Sequence, residues 1–201
     1  QRLDSAATCF LPNHAFEAGV YLAFIAQHYH ALPVRIAFLQ ADYLQLNKYG
    51  PAAEFDFWQA RCAGPAYFPL TKRRTAPWPP ALMRRSPAWW ARYHGERRTP
   101  AIVGRCWSKI LSLIDACPPS GCDVGNVSFY PYANFLIDAA LLRQRPRTAF
   151  RALTDQIVQR GVCSPGEPDG LEKITSAHGV EHLAGVIFAQ RPLDAPPLML
   201  P

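Results

Sequence analysis

The carboxylates Glu17, Asp42, Asp138 and Glu181 sit where acid–base chemistry could be organised. Glu17 and Glu181 each lie among apolar residues at helical spacing. A carboxyl in such surroundings has its pKa raised, as a general base working near neutrality requires. Each could equally cap a helix or pair with an arginine. Gln40 and Asp42 follow the apolar run Val34-Arg35-Ile36-Ala37-Phe38-Leu39, and Asp138 ends the run Asn134-Phe135-Leu136-Ile137. Ligands of open α/β sheets gather outside the carboxyl ends of the strands, so Gln40, Asp42 and Asp138 would line a polar site there. The structural alternative is that Asp42 caps the next turn and Asp138 caps a helix from Ala139.

Metal chemistry has weaker support. Glu54-Phe55-Asp56 is an acid-x-acid pair that could hold a divalent cation, and His178 and His182 are one helical turn apart. One residue between carboxylates is common by chance, and exposed histidine pairs are commoner than ligating ones, so no metal site is assigned. No nucleophile elbow, phosphate-cradling glycine loop or dinucleotide fingerprint occurs.

The 201-residue chain carries a formal charge of +6. Its basic residues cluster in the middle, as Lys72-Arg73-Arg74, Arg84-Arg85, Arg92 and Arg97-Arg98, with Trp78, Trp89, Trp90 and Tyr93 between them. Arginine interleaved with aromatic rings suits a phosphate, a nucleotide or an acidic glycan. A solvated loop pinned by large aromatics has the same composition. No nucleic-acid module accompanies the patch, so a nucleic-acid partner is not expected.

Six cysteines are present: Cys9, Cys62, Cys106, Cys117, Cys122 and Cys163. None shows zinc spacing, so three disulfides are expected, with their pairing open. Cys117 and Cys122 bracket the turn Pro-Pro-Ser-Gly and could close it. Asn126-Val127-Ser128 is a glycosylation acceptor sequence, and the first residue is Gln1, which a processed N-terminus would explain. Together these point to the secretory lumen or the extracellular space. No window offers the roughly eighteen uncharged apolar residues of a membrane span.

The elements that must position these groups are legible at both ends of the chain. Asn13 is a helix N-cap, and residues 15–30 carry Phe16, Val20 and Phe24 along one helical row and Leu22, Ile25 and Tyr29 along another. Leu32-Pro33 stops that helix. Residues 34–39, apolar except for Arg35, read as a strand buried on both faces. Cys9-Phe10-Leu11 reads as an edge strand. Thr99-Pro100 starts a buried helix reaching Cys117. Residues 134–137 form a second buried strand, sharing a sheet with residues 34–39 under the first helix. Helices follow over 139–145, 146–160 and 171–189. Residues 51–98 lack periodicity apart from short helical turns at 54–61 and 87–94.

The expected architecture is therefore one α/β domain spanning 1–201. A small central sheet with helices packed on it forms the core, 9–50 and 99–190. A long irregular Pro/Trp-rich excursion occupies 51–98, and a Pro-rich tail 191–201.

Two segments carry a resemblance. Asn13-x-x-x-Glu17-x-x-x-Tyr21-Leu22-x-x-Ile25-x-x-x-Tyr29-x-x-Leu32-Pro33, followed by Phe38-Leu39-Gln40, resembles a family called domain of unknown function 3431. So do Asn134-Phe135-Leu136-Ile137, Arg143-Gln144-Arg145-Pro146 and Val180-Glu181. The chain departs from the family pattern at Ala15, where the family has Gly, and at Val34 and Ala184. Family members usually carry a further strand and helix before the first motif, and here only twelve residues precede Asn13.

By analogy, the resemblance implies a glycosyltransferase-like architecture, an incomplete version of the glycosyltransferase-A type. A transferase would act on a nucleotide sugar and a glycan. Asp42, Glu181 and Asp138 would serve catalysis, with Gln40 and Glu17 beside them. Arg73, Arg74 and Arg97 would offset the diphosphate charge, and a divalent cation could assist. Two other readings fit the same residues. One is a non-catalytic structural or accessory subunit built on the same fold. The other is a glycan-binding module stacking sugars on Trp89 and Trp90.

Overall fold

The computed structural model describes residues 16–40, 64–70, 83–85, 88, 100–117, 122, 124, 127–129, 134–159 and 169–192. Helix α1 spans Phe16–His28, with Glu17 in its first turn and His28 in its last, the charge placement that a helix dipole favours. Its buried stripe is Ala18, Tyr21, Leu22, Ile25, Ala26, Tyr29 and Leu32. The core face is thus the row through Leu22, Ile25 and Tyr29. Val20 and Phe24, on the other row, pack only partly against it.

Strand β1 (Arg35–Phe38) pairs antiparallel with β5 (Phe135–Asp138), which pairs antiparallel on its other side with β2 (Tyr67–Pro69). The order is β1-β5-β2. Residues 34–39 and 134–137 therefore share a sheet as expected. One expectation is corrected: β1 alternates, with Ile36 and Phe38 buried and Arg35 and Ala37 half-buried, so only one of its faces is fully covered. In β5 Phe135, Leu136 and Ile137 are all buried, the central position imposing cover on both faces.

Ile36, Phe38, Phe135, Ile137 and Tyr67 enter the main core. There Phe135 packs against Phe38, Tyr67 and Phe188 with ring centroids 5.1–5.4 Å apart.

Strand β2 corrects the reading of 51–98 as wholly irregular. It is three residues long and ends in Pro69, which has no N–H for a second neighbour and is tolerated at an edge. Another strand from the same stretch, β3 (Met83–Arg85), pairs antiparallel with β4 (Val127–Phe129).

Helix α2 (Pro100–Ser112) begins with proline in its first turn, where the missing N–H costs nothing. It buries Val103, Cys106, Trp107, Ile110, Leu111 and, just beyond its end, Ile114. Its expected end at Cys117 comes earlier. Asp115 adopts a left-handed φ of 52°. Asp115 N–H donates to Ser112 O at 3.3 Å and Ala116 N–H to Leu111 O at 3.0 Å, the paired bonds of a Schellman stop.

The later helices are more divided than expected. Helix α3 (Ala139–Leu142) follows β5 directly, and Pro146 precedes α4 (Arg147–Thr154), which widens into a π-helical turn over Asp155–Gln159. Helix α5 (Asp169–His182) is separated from α6 (Ala184–Ala189) at Leu183, and Gln190 ends α6 with a φ of 51°. Helix α1 packs on α4 and α5, and α2 packs on α5. That last crossing is close. A Cβ placed on Gly179 would lie 2.7 Å from Ile110 Cδ1, with Cys106 Sγ and Trp107 Cδ1 just behind. The coarse architecture is thus a mixture of helices and a small antiparallel sheet.

Candidate functional site

The polar side chains of the described core gather in three places. At one end of the sheet, Asn134 is 2 % exposed. Its Oδ1 accepts the Gln40 N–H at 2.7 Å, its Nδ2 donates to Gln40 Oε1 at 3.4 Å, and its carbonyl accepts Leu70 N–H at 2.7 Å. Asn134 thereby ties the ends of β1 and β2 to the start of β5. A buried amide with these partners satisfied stabilises its site.

At the opposite end, Arg35 faces its register partner Asp138, Nε to Oδ1 at 2.5 Å. The Arg35 Nη2 also donates to the carbonyls of Gly64 at 3.1 Å and Pro65 at 3.3 Å. The guanidinium therefore reaches across β5 to the segment entering β2. Asp138 occupies the N-cap position of α3 but makes no side-chain capping bond, because its carboxylate is turned to Arg35. The expected cap is replaced by an ion pair.

These two ends explain why Gln40 and Asp138 do not converge. The rule placing ligands at strand carboxyl ends depends on parallel strands. In this antiparallel pair the end of β1 lies beside Phe135 and the end of β5 beside Arg35. Three residue steps separate the two positions, about 10 Å of strand.

The third cluster is the turn Arg143-Gln144-Arg145-Pro146-Arg147, where alternate residues bind the ends of three helices. Arg143 donates from Nη2 to Leu32 O at 3.0 Å and from Nε to Tyr29 O at 3.4 Å, and Arg147 donates from Nε to Ala26 O at 2.8 Å. These carbonyls belong to the end of α1 and the turn after it. Arg145 is buried and points the other way. Its Nη1 donates to Ile114 O, its Nε to Ile187 O at 3.1 Å and its Nη2 to Val186 O at 3.2 Å. Helix C-terminal carbonyls lack intrahelical partners and carry partial negative charge, so guanidinium groups suit them on both counts. Burial pulls the Arg145 pKa down from its usual value, and the negative charge of Asp115 works against that shift. Tyr29 completes the arrangement, its hydroxyl donating toward the carbonyls of Arg145 at 2.6 Å and Arg143 at 3.1 Å.

No family model, curated protein or solved structure matches this chain. The site is therefore judged on its own geometry.

Glu17 is half-buried in the first turn of α1, and Glu181 is half-buried in the last turn of α5. His182 is buried, stacked on Trp107 with centroids 5.6 Å apart, and its Nδ1 is 2.8 Å from the His178 carbonyl. That contact turns one ring nitrogen toward the backbone rather than toward a shared ligand with His178. Among the described residues no group of three His, Cys, Asp or Glu is placed to hold a metal ion.

Cys117 and Cys122 are joined in a disulfide, as their bracketing of the turn suggests, and Cys106 is disulfide-bonded as well. Cys9, Cys62 and Cys163 lie outside the described residues, as do Asp42, Glu54, Asp56, Arg73, Arg74, Trp89, Trp90, Arg97 and Asn126. No helix among the described residues is long and apolar enough to cross a membrane.

The residues that the sequence reading passed over are Tyr29, Arg35, Arg143 and Arg145 in their polar roles. Signals for three of them were present. Arg35 is the one charge in an apolar run, and a charge there needs a partner on the neighbouring strand. Arg143 and Arg145 lead into Pro146 in a turn between elements, where unsatisfied helix carbonyls collect.

Proposed function

We propose that this chain is a non-catalytic structural or accessory subunit of a larger assembly, built on the fold of the glycosyltransferase-like family it resembles, and residing in the secretory lumen or the extracellular space. One observation carries the reading: Tyr29, Gln40, Asn134, Arg143 and Arg145, five of the polar residues that bear the resemblance, are bonded within the fold. Tyr29 and Leu32 from the first motif are bonded to Arg143 and Arg145 from the second. Asn134 is bonded to Gln40. Outside the motifs, the site candidate Asp138 is bonded to Arg35. The Asp138 carboxylate is engaged by the Arg35 guanidinium 2.5 Å away, a charge-assisted contact that ties β5 to β1. The Cys117–Cys122 disulfide supports the oxidising compartment.

The test is purification of the native chain from its source under mild conditions. A stable complex that forms without any nucleotide-sugar binding supports the subunit reading. Isolation as a free monomer that binds a nucleotide sugar in a metal-dependent way opposes it.

The transferase reading retains one support, the position of the first motif immediately before β1 and Asp42. On that reading Asp42 and Glu181 act on the acceptor, and Arg73, Arg74 and Arg97 face the diphosphate of a nucleotide sugar. Loss of turnover in Asp42→Asn with the fold intact would favour it. A glycan-binding module predicts instead oligosaccharide binding that Trp89→Ala or Trp90→Ala abolishes.

A further inference from the structure

The end of α2 joins a disulfide, a left-handed aspartate and the buried Arg145 within a few residues. Ile114 gives its carbonyl to Arg145. Asp115 follows in the left-handed conformation, which aspartate tolerates better than most residues with a side chain. Its negative charge acts on Arg145. Cys117 comes two residues later, bonded to Cys122 across a sequence separation of 5.

A bridge closing so short a loop removes little entropy from the unfolded chain, because that contribution grows with loop length. Its main effect is therefore local, on the chain that begins directly after the Schellman turn. Both of its cysteines are half-buried, whereas Cys106 is 1 % exposed. The Cys117 and Cys122 sulfurs are therefore more open to a reductant than that of Cys106.

We propose that the Cys117–Cys122 disulfide is a thiol-reducible switch that sets how firmly the end of α2 holds Arg145 and, through it, the carbonyls of α6. A dithiol supplies two electrons and two protons. Its own thiols close to a disulfide, and the Cys117–Cys122 sulfur–sulfur bond opens to two thiols. Without the tether, Asp115 relaxes out of the left-handed region and the last turn of α2 frays. The Ile114 carbonyl and the Asp115 charge then move away from Arg145. The guanidinium loses the anchor that aims its remaining bonds at Val186 and Ile187.

The experiment titrates the intact, oxidised chain with dithiothreitol. Differential alkylation is read by mass spectrometry, and residue-resolved hydrogen exchange is measured at each step. At low reductant, Cys117 and Cys122 are expected to alkylate while Cys106 stays protected and the far-ultraviolet spectrum holds. The amides of Ile114, Asp115 and Ala116 exchange several-fold faster, and those of Val186, Ile187 and Arg191 follow. The double variant Cys117→Ser with Cys122→Ser reproduces the pattern without reductant. The proposal is overturned if Cys106 is reduced as early as this pair or if the fold collapses on reduction. It is overturned equally if the amides at 114–116 accelerate while those at 186, 187 and 191 do not.

Discussion

The hydroxyl of Tyr29 lies 2.6 Å from the carbonyl of Arg145, a residue 116 positions further along the chain. The contact joins the end of α1 to the turn before α4. Arg143 returns the bond from the other side by donating to the carbonyls of Tyr29 and Leu32. Tyr29→Phe removes the hydroxyl and leaves the ring contact with Phe150 in place. The expected loss is about 1–2 kcal/mol of unfolding free energy, the worth of one or two buried hydrogen bonds, read by urea denaturation.

Arg145 carries more. Its guanidinium serves three carbonyls from two otherwise separate helix ends. Arg145→Met leaves those carbonyls buried without it, at an expected cost of ~3 kcal/mol or more. Arg145→Lys keeps the charge but not the planar fork, so it should recover only part of the loss. Full recovery in the lysine variant would mean that charge alone matters at this position.

The α2–α5 crossing gives a steric prediction. Gly179→Ala places a methyl 2.7 Å from Ile110 Cδ1, with Cys106 and Trp107 limiting the retreat of that side chain. Overpacking of this kind costs about 1–3 kcal/mol. Ile110→Val removes the clashing atom, so the double variant should be more stable than Gly179→Ala alone. Independent, additive losses would show that the helices simply separate.

Helix α1 can be tested by its two rows. Leu22 and Ile25 are wholly buried. Each, changed to Ala, should cost ~2–5 kcal/mol. Phe24 is only partly buried, touching Phe38 and His28 at its edge. Phe24→Ala should cost less than either, and thermal melts of the three variants rank them directly.

These outcomes mark what the sequence could and could not reveal. Helix α1, strands β1 and β5 and helix α2 follow from local patterns: apolar spacing, Leu32-Pro33 and Thr99-Pro100. The pairing of β1 with β5 was legible from their apolar runs. Its antiparallel direction was not, because direction is decided by the chain between them. That direction moved Gln40 and Asp138 to opposite ends of the sheet. Strand β2 was hidden since three residues ending in Pro69 carry no periodicity. The stop at Asp115 is made by backbone bonds to Ser112 and Leu111, which apolar spacing does not register, so the apolar pattern ran through it as it did through Leu183. Arg35 stood out as a charge in an apolar run. Its partner Asp138 reads from the sequence as a site residue or a helix cap, because the local sequence offers those roles first.

The central claim is that the bonded polar residues, Tyr29, Gln40, Asn134, Arg143 and Arg145 of the resemblance and the site candidate Asp138, serve the structure. It is tested most directly by measuring nucleotide-sugar turnover, with and without divalent cation, on the native chain and on Asp138→Asn at matched folded fraction. Asp138→Asn removes a pair that is about a quarter exposed. Its expected stability loss is therefore ~1 kcal/mol or less. The expected result is no turnover from either protein, with a slightly lower melting temperature in the variant. Cation-dependent turnover by the native chain that Asp138→Asn abolishes, at unchanged stability, would contradict the account.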